Sequence, residues 1–177
     1  MHKTIVVKDQ RYLNHITGDN HPESPQRLER IYRMLLDEDL SGRFAEVPPR
    51  AATKEELALN HAPDYIERIE QTAGKPHTML DPDTQASAGS WDAAVFAAGG
   101  VLSALELLMD GRADNGFALV RPPGHHAETS RAMGFCLFNN IAIGAHYLIK
   151  HYKLERILIV DWDLHHGNGT QKSFYAS

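Results

Sequence analysis

The stretch Arg156-Ile-Leu-Ile-Val-Asp161-Trp-Asp163-Leu-His165-His166-Gly-Asn168-Gly-Thr170 decides the reading of the fold. Its first part, Ile157–Val160, is a short run of β-branched and aliphatic residues of the kind that forms a buried strand. The run passes directly into a polar, glycine-containing segment. In an extended chain successive side chains alternate between faces, so Asp161, Asp163 and His165 fall on one side. Two carboxylates and an imidazole converging at a strand end suit a divalent cation, because Asp oxygen and His nitrogen are both ordinary zinc ligands. Burying three such groups is costly unless a cation or proton offsets them. The competing reading is a solvated strand end with a polar turn; His165 on the shared face, with His166 beside it, weighs against that. Gly167 and Gly169 then allow a sharp turn that opens the site.

Two further runs read as buried strands, Thr4–Val7 and Phe117–Val120. Helical patterns lie between them. Pro25 suits the first turn of a helix capped by Ser24, with Leu28, Ile31 and Leu35 at helical spacing. Thr53-Lys-Glu-Glu56 has the form of a capping box. Pro63 begins a helix whose apolar face carries Ile66 and Ile69. Ser90 to Met109 is a long Ala-rich helix in which Gly99-Gly100 implies close packing against a neighbour. Asn140 to Tyr152 is another helix, capped by Asn139 or Asn140. Strands alternating with long helices predict an α/β fold, a parallel sheet flanked by helices on both faces. Sites in such folds form beyond the carboxyl ends of strands, where the last two strands each run into a histidine-rich loop.

The earlier of those loops is Phe117-Ala-Leu-Val-Arg-Pro-Pro-Gly-His125-His126-Ala-Glu128. Pro122-Pro123-Gly124 makes a rigid turn that presents adjacent histidines. Histidine is the usual proton shuttle near neutral pH, and two side by side could serve as base and acid. The alternatives are a pair of surface histidines, or one metal ligand and one bystander. In Gly134-Phe-Cys-Leu-Phe-Asn-Asn140, Phe135 could wall an apolar slot. Cys136 has apolar neighbours and no base nearby in sequence, which favours a buried, inert thiol over a nucleophile. His21-Pro-Glu-Ser-Pro-Gln-Arg27-Leu28 reads as a loop before a helix, with Arg27 pointing either inward or to solvent.

Composition narrows the function classes. The 177 residues carry 18 Lys and Arg against 23 Asp and Glu, a net charge of −5, with 42% hydrophobic residues. That is globular composition, long enough for one domain or a large piece of one. An acidic chain without a basic block argues against direct nucleic-acid binding. A single cysteine cannot form an internal disulfide. The apolar run at the N-terminus is too short for a signal peptide, and the uncharged run Ala93–Leu105 is short for a membrane span, so a cytoplasmic protein without a membrane partner is expected.

Together, His21-Pro-Glu-Ser-Pro-Gln-Arg-Leu28, Arg121-Pro-Pro-Gly-His-His126, Gly134-Phe-Cys-Leu-Phe-Asn139 and Asp161-Trp-Asp-Leu-His-His-Gly-Asn-Gly169 resemble the histone deacetylase and acetylpolyamine amidohydrolase family. The four occur in family order, and Leu80-Asp-Pro-Asp-Thr84 and Ser90-Trp-Asp-Ala-Ala94 also fit, especially its bacterial and class II-like members. The resemblance implies an arginase-like α/β domain and zinc-dependent hydrolysis of an N-acetyl amide on a lysine or polyamine. It makes Asp163 and His165 zinc ligands and His126 the general base, then the acid for the leaving amine. His125 would tune that group, oriented by Asp161, and Asn168 would pair with His126. Gly134 and Phe135 would line the acyl channel, Arg27 would lie near an internal exit cavity, and Asp81 or Asp83 at the rim. A structural potassium ion near Asp161, Asp163 and the His165 carbonyl is similarly implied.

One departure matters. Catalytic zinc ordinarily has three protein ligands and an open position. The family's third ligand, a second Asp, and the tyrosine of its Gly-Gly-Tyr segment have no counterpart in these residues. Residues 1–177 therefore read as the N-terminal half of a single deacetylase-like domain, expected alone to bind zinc poorly and to have little or no activity. The rivals are a non-catalytic binding or assembly module and an arginase-like manganese ureohydrolase; the His125-His126 pair and the Arg121–Gly124 turn argue against the latter. A homo-oligomer stays open.

Overall fold

The central strand of a small parallel sheet, Thr4-Ile-Val-Val7, is β-branched and largely buried, while its two neighbours are partly or largely exposed. The structure, a computed structural model, describes residues 3–176. In chain order its elements are β1 (Thr4–Val7), α1 (Pro25–Met34), β2 (Ala45–Val47), α2 (Lys54–Leu57), α3 (Pro63–Glu70), β3 (Thr78–Asp81), β4 (Thr84–Ala86), α4 (Ser90–Met109), β5 (Asn115–Ala118), α5 (Asn140–Tyr152) and α6 (Asn168–Phe174). A 3-10 turn spans Gln10–Asn14.

The main sheet has the order β2-β1-β5, with β1 central and parallel to both neighbours. Ile5 and Val7 point to one face and pack with Ala104, Ala113, Leu107 and Leu108. Burying such side chains stabilises the fold by about 1.5–3 kcal/mol each. A small antiparallel hairpin, β3-β4, stands apart from this sheet.

Helix α4 is apolar on nearly all sides, which marks a buried helix rather than a surface one. Ala93, Ala94, Ala97, Ala98 and Leu102 are all enclosed. The apolar run that looked short for a span belongs to a 20-residue helix long and apolar enough to cross a membrane by length and composition; over half of its apolar window is buried within the protein. Gly99 lets the Arg50–Ala52 segment touch this helix, since a Cβ there would lie 2.0 Å from the Arg50 carbonyl oxygen.

Local signals place most helix ends. Pro25 and Pro63 each stand at the first turn of a helix, although Ser24 makes no side-chain capping bond. The capping box forms as expected: the Glu56 N–H donates to Thr53 Oγ1 at 3.2 Å, and the Thr53 N–H to Glu56 Oε2 at 2.8 Å. Asn139, not Asn140, caps α5 through the Ala142 N–H.

Two strand expectations are corrected. The strand expected at Phe117–Val120 lies at Asn115–Ala118, two residues earlier, because the pairing with β1 begins at Thr4↔Asn115. Ile157–Val160 forms no strand. A strand needs a hydrogen-bonded neighbour, and among the described residues none flanks this segment. Leu158, Val160, Trp162 and Leu164 are exposed there, at 85%, 65%, 91% and 93%.

Candidate active site

Two segments meet at one end of the sheet: the loop that leaves β5 and the segment that leads into α6. The loop is anchored at its start by Arg121, which is buried. Its guanidinium donates to both carboxylate oxygens of buried Glu23, and to the backbone oxygens of Tyr12 at 2.8 Å and His15 at 2.9 Å. Four residues further on, the rings of His125 and His126 lie side by side with centroids 4.1 Å apart.

Each histidine has its own partner in the second segment. His125 Nδ1 is 2.9 Å from Asp161 Oδ2, and His126 Nδ1 is 2.7 Å from Asn168 Oδ1. The Asn168 amide nitrogen faces Glu128 Oε1, the His126 carbonyl and Met133 Sδ, at 3.4, 3.4 and 3.5 Å. Because a carboxylate and a carbonyl only accept, this orients the amide with its oxygen toward His126. His126 therefore donates from Nδ1 and keeps Nε2 free.

Asp161, Asp163 and His165 form a chain of turns rather than one face of a strand. Asp161 Oδ1 accepts the Asp163 N–H at 3.1 Å, and Asp163 Oδ1 accepts the His165 N–H at 2.7 Å. The His165 ring folds back, with Nδ1 3.1 Å from the same Asp163 oxygen. Burial opposes ionisation of Asp161, but the bonds from His125 and the Asp163 N–H outweigh it and hold the carboxyl below the usual range. Asp163 is also lowered, first by the His165 N–H. Both are thus carboxylates at neutral pH.

His125, His126, Asp163 and His165 share a cavity of about 420 Å³ with Glu23, Arg27, Asp83, Gly134 and Phe135; Asp161 and Asn168 stand behind the histidines and do not line it. Gly134 and Phe135 both have positive φ, +55° and +68°. The strained turn is held from the hairpin: Asp83 Oδ1 accepts the Gly134 N–H at 3.1 Å and Thr84 Oγ1 the Phe135 N–H at 2.9 Å. His21 packs edge-on against the Phe135 ring, 4.6 Å between centroids. A Cβ on Gly134 would lie 2.2 Å from His126 Cδ2, so glycine lets this turn touch the histidine. Arg27 is largely exposed, 3.8 Å from Glu23 Oε1. Asp81 does not join these residues; Arg131 holds its carboxylate at 2.7 and 3.0 Å. Cys136 is buried, and burial pushes its thiol up to about 12, which leaves it inert.

A larger cavity, about 1030 Å³, lies beside residues 155–167, against α5 and α6. It is the gap next to the unpaired segment, lined by Ile149, Ile157, Leu158 and Phe174. Glu23, Arg121, His15, His61 and Glu128 are the residues that sequence reasoning did not place. Their contacts cross long stretches of chain, and no local spacing announces them.

The oxygen of Asp163 and the free imidazole nitrogen of His165 are donors that suit a divalent cation. Among the described residues no group of three or more His, Cys, Asp or Glu side chains gathers around one point. The pair fits as part of a ligand set.

A histone deacetylase domain matches residues 21–177, and the chain belongs to that family. It is 41% identical over 177 residues to histone deacetylase HDA1 of Saccharomyces cerevisiae, covering 89% of this chain and 25% of that protein. It is 44% identical over 158 residues to polyamine deacetylase HDAC10 of Danio rerio, covering 86% of this chain and 23% of the relative. A probable deacetylase of Archaeoglobus fulgidus is 38% identical over 174 residues, covering 97% of this chain and 48% of that protein. The crystal structure of the HDA15 HD domain superposes with a TM-score of 0.92 at 40% identity, over 98% of this chain and 50% of the other. The chain thus spans about half of that domain and of the archaeal protein, and about a quarter of the yeast and zebrafish relatives.

Proposed function

We propose that this chain carries the proton-transfer residues and two metal ligands of a zinc-dependent amidohydrolase that removes acetyl groups from lysine side chains or polyamines. The observation that carries this reading is the paired histidines, each bonded at Nδ1 to its own acceptor, beside Asp163 and His165 in one cavity. Relatives named as histone and polyamine deacetylases support both substrate classes.

Asp163 and His165 would hold the zinc, which when bound supplies Lewis-acid polarisation of the amide carbonyl and a more acidic water. His126 Nε2 takes the proton from the attacking water as general base. The same nitrogen then returns a proton to the amine, a poor leaving group until protonated. Asn168 Oδ1 keeps the other ring nitrogen protonated throughout. His125, held by Asp161, stands against the first ring and biases its charge. Phe135 and Gly134 wall an apolar slot for the acyl chain, with Asp83 at its mouth; Arg27 is too exposed to mark an internal exit. Potassium near Asp161, Asp163 and the His165 carbonyl belongs to the same reading.

We further propose that residues 1–177 form the N-terminal half of one such domain. The exposed row Leu158, Val160, Trp162 and Leu164 supports it, since side chains of this kind are ordinarily covered. On this reading the chain alone binds zinc weakly and turns over little or no substrate.

Acetate release from acetyl-lysine peptides and acetylpolyamines, measured in a complete domain carrying this chain with zinc or manganese added, tests the proposal. Zinc-supported release is expected. Acetyl-ligand binding without turnover at saturating zinc would favour a binding module, and manganese-dependent urea release an arginase-like enzyme.

A further inference from the structure

The loop that carries the histidine pair has every backbone carbonyl from residue 125 to residue 128 occupied by a donor from elsewhere in the fold. The Thr170 N–H donates to His125 O at 3.1 Å, and Asn168 Nδ2 to His126 O at 3.4 Å. Asn139 Nδ2 donates to Ala127 O at 3.3 Å. The fourth donor is His61, whose Nδ1 lies 3.0 Å from Glu128 O. His61 sits between α2 and α3, is buried, and lies 67 residues from Glu128, whose carbonyl also takes a longer bond from the Arg131 N–H at 3.5 Å.

Its other ring nitrogen has a defined role too. His61 Nε2 faces the Asn139 N–H at 2.9 Å and the Asn60 amide nitrogen at 3.2 Å. A backbone N–H can only donate, so Nε2 must accept and carry no proton. The Nδ1 proton is then the one given to Glu128 O, and the ring is neutral in a single tautomer. Asn60 is fixed in turn, because its amide oxygen accepts the Ser173 hydroxyl at 2.6 Å. Burial agrees, lowering the His61 imidazolium to about 4.

We propose that His61 is a positioning residue for the histidine pair. One end of its ring fixes the end of the His125–Glu128 loop. The other fixes the first backbone N–H of the turn entering α5, through Asn139, whose side chain holds the middle of the same loop. His61 touches neither substrate nor metal on the deacetylase reading; it acts through the backbone that sets where the His126 ring stands relative to Asn168. The consequence for turnover rests on that reading, whereas the consequence for His126 does not.

Two substitutions separate hydrogen bonding from packing. His61→Gln keeps an amide that can donate to Glu128 O and accept from the Asn139 N–H. His61→Phe keeps an aromatic ring between Tyr65 and Phe138 but can do neither. The measurement is the ring-nitrogen NMR signature of His126 in the 177-residue chain, assigned with His126→Ala, without metal or substrate. Wild type and His61→Gln are expected to show one Nδ1–H tautomer at His126, and His61→Phe a mixture. In a complete domain, His61→Phe should lower kcat on the order of 10- to 100-fold with KM little changed, as for a misplaced reacting group, and His61→Gln should restore it. A His61→Phe chain with the wild-type His126 signature would overturn the proposal. So would a cooperatively folded His61→Gln chain that shows the tautomer mixture. If His61→Phe does not fold, His61→Gln decides alone: an unchanged signature upholds the role and a mixture refutes it. The expected contrast, one tautomer in wild type and His61→Gln and a mixture in His61→Phe, in a domain that turns over no acetyl substrate would uphold His61 and sink the deacetylase reading alone.

Discussion

His126 Nδ1 stands 2.7 Å from Asn168 Oδ1, joining the loop after β5 to the first residue of α6 across 42 positions of sequence. With Nδ1 so engaged, Nε2 is the ring nitrogen that the proposed proton transfer would use. Asn168 should therefore matter more to turnover than to stability. Asn168→Ala, in a complete domain, is expected to lower kcat on the order of 100-fold or more, as when a catalytic histidine loses the partner that sets its tautomer. Melting temperature, metal content and kcat measured on one preparation check this. A loss of kcat no greater than the loss of folded protein would contradict it.

Gly134 separates two requirements that few residues meet together, a positive φ and contact with His126. Gly134→Ala would put its Cβ 2.2 Å from the His126 ring. The φ penalty costs about 1 kcal/mol or more, and the ring must move as well. The expected outcome is a lowered unfolding midpoint together with loss of the single His126 tautomer. Retention of both would show that this turn yields more easily than its geometry implies.

The buried Arg121–Glu23 pair ties the histidine loop to the segment ahead of α1. Removing one partner of such a pair typically costs about 3–5 kcal/mol, because the other charge is left buried and alone. Glu23→Gln and Arg121→Met should each destabilise the chain strongly in urea unfolding, and the double variant by clearly less than their sum. Simple additivity would mean that the two charges do not depend on each other.

Two buried histidines set an acid limit. Burial lowers both His15 and His61 to about 4, against 6.5 for the free side chain; Glu23, 3.6 Å from His15 Nε2, opposes the shift only in part. Between those values the unfolded chain binds more protons than the folded one. The stability they permit is thus fully present above about pH 6.5 and is lost as the pH falls toward 4, by up to about 1.4 kcal/mol per pH unit for each group. Urea midpoints across this range should fall, and His61→Gln should flatten the slope. A slope unchanged by that substitution would remove His61 from the account.

Much of this was legible because the signals are local. The ends of α4 and α5, the Thr53 capping box and the buried Cys136 lie where capping, periodicity and apolar neighbours put them, whereas the pairing of His126 with Asn168, 42 positions apart, is implied only by the family resemblance. Ile157–Val160 reads as a strand by composition, but a strand exists only with a neighbour, and composition does not supply one. Asp81 and Asp83 stand two residues apart and look alike in sequence. A bulge between Met79 and Asp81 and the reach of Arg131 send one away and leave the other holding Gly134. Glu23 and Arg121 are 98 residues apart, and His61 and Asn139 are 78 apart, separations that no spacing pattern encodes.

The most direct test of the central claim is acetate release by a complete domain carrying His126→Ala, with bound zinc measured on the same sample. Loss of turnover on the order of 100- to 10,000-fold with zinc content unchanged is the predicted result, since the imidazole is assigned to proton transfer and not to the metal. Turnover close to wild type would contradict it.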